Sequence, residues 1–257
     1  MVWIDLEKAV NVRDVGGMPT DSGVPTRPGR LVRSDNLQDL SPADVTRLTE
    51  EIGVTTVIDL RSTSEVRSEG PGPLSRVPAV RHVNLSVLPE SHGMTDVAAD
   101  ALALNRERAA GRGPSDLALS FYLGYLEDRP DNVVAALRTI AEAPGAALVH
   151  CAAGKDRTGV VVAMALTVAG VPREAVVADY TATAERIERV LDRLRASPTY
   201  AEDIDNLPAE EHRPRAASME RFLARLDEDH GGVLGWLGTH GFDTQDARRL
   251  RAKLLEV

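Results

Sequence analysis

Leu148-Val149-His150-Cys151-Ala152-Ala153-Gly154-Lys155-Asp156-Arg157-Thr158-Gly159 is the stretch whose reading decides the fold. An apolar run ends at His150, a tight turn follows, and from Arg157-Thr158-Gly159 a long apolar segment reads as a buried helix. The order is strand, loop, helix N-terminus. The stretch also holds the single cysteine of the chain. Five residues separate Cys151 from Arg157, so a loop curled around an anion sets a thiol beneath it and a guanidinium beside it.

The segments around this stretch supply a sheet for it. Val54-Thr55-Thr56-Val57-Ile58-Asp59-Leu60 is β-branched and almost continuously apolar, the pattern of a strand covered on both faces of a parallel sheet, with Asp59 at its polar end and Arg61 just beyond. Leu31-Val32-Arg33-Ser34-Asp35 is a short strand, and Arg81 to Val87 alternates like an edge strand. Residues 11–29 are dense in turn formers. Ser41-Pro42-Ala43-Asp44 opens a helix with a cap, a first-turn proline and an acidic residue; Val45, Leu48 and Ile52 form its buried stripe and Gly53 stops it.

Helices over residues 117–126 and 133–140, broken at Arg129-Pro130, deliver the chain to the strand at 146–150. The segment 160–169 is apolar on all sides and belongs at the centre of the core. Residues 173–195 read as helix with a solvated, alternately charged face, 197–214 as a loop, and 216–226 and 244–255 as amphipathic helices around a turn segment at 231–238. The expectation is an α/β fold: a central, mostly parallel sheet flanked by helices, with a helical C-terminal region, in one domain over residues 1–257. Residues 88–114, with Arg106, Arg108, Arg112 and a Gly-Pro break, are a candidate lid insertion, the alternative being an exposed variable loop.

Among the 257 residues, 39 acidic ones outnumber 30 basic ones and no basic block occurs, which argues against an electrostatic nucleic-acid binder at a net charge of −9. An anionic substrate therefore needs a local positive site. One cysteine excludes an internal disulfide framework, and with neither a secretory signal nor a bilayer-length apolar run the expectation is a cytoplasmic protein without stable membrane insertion, export without a cleaved signal being compatible. No His, Cys and Asp cluster has metal-ligand spacing, so neither a metal nor a cofactor is implied.

An isolated free cysteine is more often a small buried apolar residue than a functional one. Here the helix N-terminus, Arg157 and Lys155 converge on Cys151, surroundings that lower cysteine pKa values to roughly 3.5–7.5 and bind a phosphate dianion. The chemistry this predicts is in-line attack of the Cys151 thiolate on phosphorus, with a phosphocysteine intermediate. Arg157 clamps the transferring group, and the segment Ala152, Ala153, Gly154 and Lys155, with Arg61 nearby, binds it. Thr158 either hydrogen-bonds the sulfur or is a plain helix-start threonine. His150 reads as a brace for the loop rather than a base. For the general acid Asp59 stands slightly ahead of Asp156, because strand ends of a parallel sheet converge on one crevice, whereas Asp156 has the alternative of bracing the loop. A nucleotide-binding loop of the Walker type is excluded, since Asp156 rather than a hydroxyl residue follows Lys155.

The run from His150 to Gly159 resembles the Cys-x5-Arg signature of the protein tyrosine phosphatase superfamily, and Gly-Lys-Asp-Arg-Thr-Gly resembles its bacterial tyrosine, dual-specificity and lipid phosphatase branch, typified by mycobacterial phosphatase B. Asn11 to Gly17, Arg33-Ser34-Asp35, Asp59-Leu60-Arg61-Ser62 with Glu65, and Asp179-Tyr180 fit the same branch. The resemblance implies a phosphate loop from Cys151 to Arg157, a helical lid, and a phosphorylated protein or a phosphoinositide as substrate. Lys155 is similar to the lysine of phosphoinositide phosphatases, which brings phosphotyrosine, phosphoserine or phosphothreonine, and inositol lipids into range. The alternatives of another class are a catalytically weak phosphate-binding module and a thiol redox sensor on the same fold.

Overall fold

The computed structural model of the chain describes residues 1–89, 114–204 and 209–255. The candidate lid insertion at 88–114 lies, apart from its ends, outside the described residues.

A sheet takes shape where β-branched and apolar runs alternate sides. Its strands are β1 (Val2–Trp3), β2 (Arg13–Asp14), β3 (Leu31–Ser34), β4 (Val54–Asp59), β5 (Arg81–Asn84) and β6 (Ala146–His150), in the order β1-β2-β3-β6-β4-β5. The last four in that order run parallel, and β1 and β2 add an antiparallel edge. Ser34 pairs with His150, His150 with Asp59 and Asp59 with Asn84, so these four residues form one row at the C-terminal edge of the parallel strands. Cys151 leaves that edge at its middle.

Helices cover both faces: α1 (Pro42–Thr46), continued by a wider turn over Arg47–Glu51, α2 (Thr63–Glu69), α3 (Pro114–Asp128), α4 (Pro130–Glu142), α5 (Asp156–Val168), α6 (Arg173–Ala182), α7 (Ile187–Ala196), α8 (Ala201–Ile204), α9 (Ala216–His230), α10 (Val233–Thr239) and α11 (Thr244–Leu254). Successive strand residues point to opposite faces, and this splits the core in two. Ile58, Ala147 and Val149 join Leu137, Val161 and Phe222 in the larger cluster, while Val57, Ala146 and Leu148 join Val12, Leu37 and Leu48 in the smaller one. Every residue of α5 from Arg157 to Leu166 is buried, as its all-round apolar sequence predicts.

Three expectations change in detail. The 231–238 turn segment contains α10, because Val233, Trp236 and Leu237 are buried. The 197–214 loop contains α8 and a single turn at Ala209–His212. Most consequentially, the helix expected over 173–195 breaks at Thr183–Arg186, and α7 turns an apolar face inward. Ile187, Val190, Leu191 and Leu194 pack with Ala152, Tyr200 and Ile204 in a third cluster that lies directly on the loop after β6. Among the described residues no helix is long and apolar enough to cross a membrane.

Candidate active site

The loop from Cys151 to Lys155 joins β6 to α5. Gly154 makes its turn possible, with φ +67° and Ser34 so close that a Cβ would stand 2.4 Å from the Ser34 carbonyl oxygen. The loop carbonyls are tied outward. Asn36 N–H donates to Ala152 O at 2.9 Å, Asn11 Nδ2 to Ala153 O at 2.9 Å and Gly154 O at 3.3 Å, and an Arg33 guanidinium nitrogen to Gly154 O at 2.9 Å. The N–H groups of Ala152, Ala153 and Gly154, by contrast, have no partner among the described residues. No side chain caps the N-terminus of α5. Unpartnered backbone donors at a helix N-terminus are the kind of group that suits an anion.

Arg33, which holds the loop, and Arg13, which holds Asn11 behind it, are themselves fixed by one acid. Asp179 on α6 is buried between Arg13, whose Nε donates to Oδ1 at 2.8 Å, and Arg33, whose guanidinium meets Oδ2 at 2.5 Å. Burial pushes the Asp179 carboxyl up, but the attraction of Arg13 and then Arg33 outweighs it and holds the group below the ordinary carboxylate range. Arg13 also donates to Asn11 Oδ1 at 2.7 Å, which orients the Asn11 amide toward the loop. Asp35 accepts from the Val10 and Asn11 amides and from Arg193 of α7.

Arg157 is wholly buried. Its guanidinium forms two parallel bonds to Glu65, at 2.7 and 2.9 Å, and a third to Leu60 O at 3.2 Å. Glu65 is fixed in turn by a capping box with Ser62 at the start of α2 and by the Tyr200 hydroxyl at 3.1 Å. This bidentate pairing sets the plane of the guanidinium beneath the loop. Opposite it, the His150 ring lies 3.2 Å from Cys151 O and 3.7 Å from Asp59, and burial pushes its imidazole down to about 4. At that value the ring is neutral near pH 7, with Nδ1 within reach of the Cys151 carbonyl.

Asp59 and Arg61 part from the roles expected of them. Asp59 stands one strand from the loop, but both its carboxylate oxygens are taken by Arg61, at 2.6 to 3.2 Å. Burial raises the Asp59 carboxyl, yet His150 and Arg61 together hold it below the ordinary range, the wrong direction for a group that must carry a proton. Arg61, expected to meet substrate, is fully buried on Asp59 and Asn36 instead. The pairing arises because the two side chains lie two residues apart where the strand ends.

Asp156, the first residue of α5, remains at the loop. Its Oδ1 accepts from Tyr122 at 2.7 Å, and its Oδ2 is 3.3 Å from Lys155 Nζ, which also donates to His212 O at 2.9 Å. The Thr158 hydroxyl is buried and has no hydrogen-bond partner among the described residues, so the bond to sulfur considered from the sequence is not made here. Over the loop, α7 residues Ile187, Val190, Leu191 and Leu194, with Ile204 and His212, enclose only about 30 Å³ against Ala152, Ala153, Lys155 and Asp156. Cys151 has no exposed surface. Among the described residues no group of three or more His, Cys, Asp and Glu side chains is placed to hold a metal.

The residues that sequence reasoning left without a role are Asn11, Arg13, Arg33, Glu65, Tyr122, Asp179, Tyr180 and Tyr200. One signal was available for some of them. Arginines inside two short strands and an aspartate on a helix that is otherwise half apolar are costly to bury unless they meet one another.

The tyrosine phosphatase family model matches residues 4–256. The triple specificity protein phosphatase PtpB of Mycobacterium tuberculosis is 29% identical over 98% of this chain and 98% of its own. A tyrosine-protein phosphatase of Nostoc commune is 28% identical over 87% of this chain and 74% of its own. The crystal structure of Pseudomonas aeruginosa TpbA, 18% identical, overlays with a TM-score of 0.32 over 76% of this chain and 92% of that one.

Proposed function

The chain belongs to the tyrosine phosphatase family and is an enzyme of protein-tyrosine-phosphatase type, and from that premise we propose that it hydrolyses phosphomonoesters through a phosphocysteine intermediate on Cys151. The thiolate attacks phosphorus in line; the S–P bond forms as the P–O bond to the leaving group breaks, and the Asp156 carboxylic acid gives its proton to the leaving oxygen. Water then attacks phosphorus and yields a proton to the Asp156 carboxylate. The S–P bond breaks, releasing phosphate and restoring the thiolate. Thr158 is the hydroxyl that turns to the sulfur in this second step.

The observation that carries this reading is the loop itself. Its carbonyls are pulled outward by Asn36, Asn11 and Arg33, while the amides of Ala152, Ala153 and Gly154 have no partner among the described residues. Donors held in that way suit an oxyanion that grows in negative charge, without reorganisation during the reaction. Arg157, oriented by Glu65, adds a full positive charge beside them. The choice of Asp156 over Asp59 is supported by the Asp59–Arg61 pairing and by the place of Asp156 on the cleft wall.

For substrates, phosphotyrosine is the core class. The M. tuberculosis relative is named a triple specificity phosphatase, which supports a range that extends to phosphoserine and phosphothreonine or to phosphoinositides, with Lys155 as the second cation at the loop. Turnover of an aryl phosphate in EDTA, abolished by Cys151→Ser, is the expected result. Metal-dependent turnover or an active Ser variant overturns the mechanism, and a phosphopeptide and phosphoinositide panel reads the range.

A further inference from the structure

The acid is attached to two buried phenols. Tyr122 on α3 donates to Asp156 Oδ1 at 2.7 Å, and its oxygen lies 2.6 Å from the Tyr180 hydroxyl on α6. Each phenol has one proton to give. The Tyr122 proton goes to the carboxylate, so the Tyr180 proton goes to Tyr122, and the chain has one direction: Tyr180 to Tyr122 to Asp156. Both rings are locked in the core. Tyr122 meets Tyr180 edge-on at 6.2 Å and Phe222 edge-on at 5.9 Å, and Tyr180 lies against α5 so closely that a Cβ on Gly159 would stand 3.0 Å from it.

Tyr180 follows Asp179 directly, the residue that fixes Arg13 and Arg33. Two consecutive residues of α6 thus set the loop carbonyls and the orientation of Asp156. Burial pushes both phenols well above their ordinary values, so they act as hydrogen-bond donors and not as acids in their own right.

We propose that Tyr122, held by Tyr180, is a positioning residue for the reaction: it fixes Oδ1 of Asp156 and thereby presents Oδ2, on the Lys155 side of the cleft, as the oxygen that carries the transferred proton. This rests on the assignment of Asp156 as the general acid. Among the described residues, the titratable groups around Asp156 are Tyr122 from α3, Tyr180 from α6 behind it, Lys155 within the loop, and His212, which lines the same cleft.

The test is Tyr122→Phe, which keeps the ring packing and removes the donor, compared with Asp156→Asn on an aryl and an alkyl phosphate across pH. Loss of the donor disfavours the carboxylate form, so the alkaline limb of kcat moves to higher pH. The alkyl phosphate, with the poorer leaving group, loses about tenfold more kcat than the aryl one, a fraction of the roughly 10²–10⁴-fold that a general acid contributes. KM stays near wild type. A merely structural role lowers both substrates alike and leaves the limb in place, and that result overturns the proposal. Should Tyr122→Phe fold poorly, Tyr180→Phe reads the same limb and the same leaving-group bias, with a smaller expected shift in the same direction. If Asp156→Asn shows the leaving-group bias and neither phenylalanine variant does, the tyrosine proposal falls while the acid assignment stands. If Asp156→Asn shows no bias, both fall.

Discussion

Asp179→Asn is the most informative perturbation of the scaffold, because one isosteric change reaches both stability and the loop. The carboxylate is buried between two arginines at 2.8 and 2.5 Å, with side-chain exposures of about 1% or less. Two charges at such a separation attract by about 6 kcal/mol at an effective dielectric constant of 20, most of which offsets the desolvation of the ions. Removing one partner of a buried ion pair costs about 3–5 kcal/mol. The upper part of that range applies, because the variant leaves Arg13 and Arg33 as neighbouring like charges; burial and then Arg33 already push Arg13 down to about 10 in the native protein. A loss of about 4–5 kcal/mol lowers Tm by roughly 10–15 °C for a chain of this size. Arg33 also loses the anchor that aims it at Gly154 O, and a displacement of the loop near 1 Å costs on the order of 10²-fold in kcat. Urea unfolding and aryl phosphate turnover measure the two effects. A variant within about 1 kcal/mol of wild type, with unchanged kcat, refutes the bracing argument.

Gly154→Ala places a Cβ 2.4 Å from the Ser34 carbonyl oxygen at a φ of +67°, and the three atoms it would meet, Ser34 O, Ser34 C and Asp35 N, are all backbone. We expect it to cost about 1–3 kcal/mol of stability and most of kcat; full activity in that variant contradicts the loop geometry. His150 makes stability pH-dependent in a defined window. Its imidazole falls from an unfolded value near 6.5 to about 4 in the fold, chiefly through burial. The unfolded chain then binds the proton first, so the contribution is present above about pH 6.5 and is lost, by about 3 kcal/mol in all, as pH falls toward 4. Urea midpoints from pH 7 to 4.5 should decline accordingly, and His150→Asn should flatten the decline by about one proton; an equal slope in the variant rules out His150 as its source.

What could be read from the sequence was what is local. The run Leu148 to Gly159 contains its own strand end, turn and helix start, so the loop and the place of its cysteine are visible without tertiary knowledge. The continuous apolar character of Val54 to Leu60 announces a buried parallel strand in the same way. The braces are invisible for the opposite reason: Arg13 and Asp179 meet across 166 positions, and no local pattern links them. α7 shows how charge can mislead. Glu188, Arg189 and Asp192 are solvated as their pattern suggests, but Ile187, Val190, Leu191 and Leu194 recur at helical spacing between them and cover the loop. Asp59 ends its strand in one row with His150, as its sequence position suggests, and Arg61, two residues on, pairs with its carboxylate, a contact that strand periodicity does not reveal.

The central claim is covalent catalysis by Cys151, and trapping tests it most directly. Acid quench during turnover of a radiolabelled aryl phosphate, followed by peptide mapping, is predicted to find one phosphoryl group on the peptide that carries Cys151, accumulating further when Asp156→Asn slows the hydrolytic step. Label on any other side chain, or steady turnover with no protein-bound phosphate at any quench time in either protein, contradicts the account.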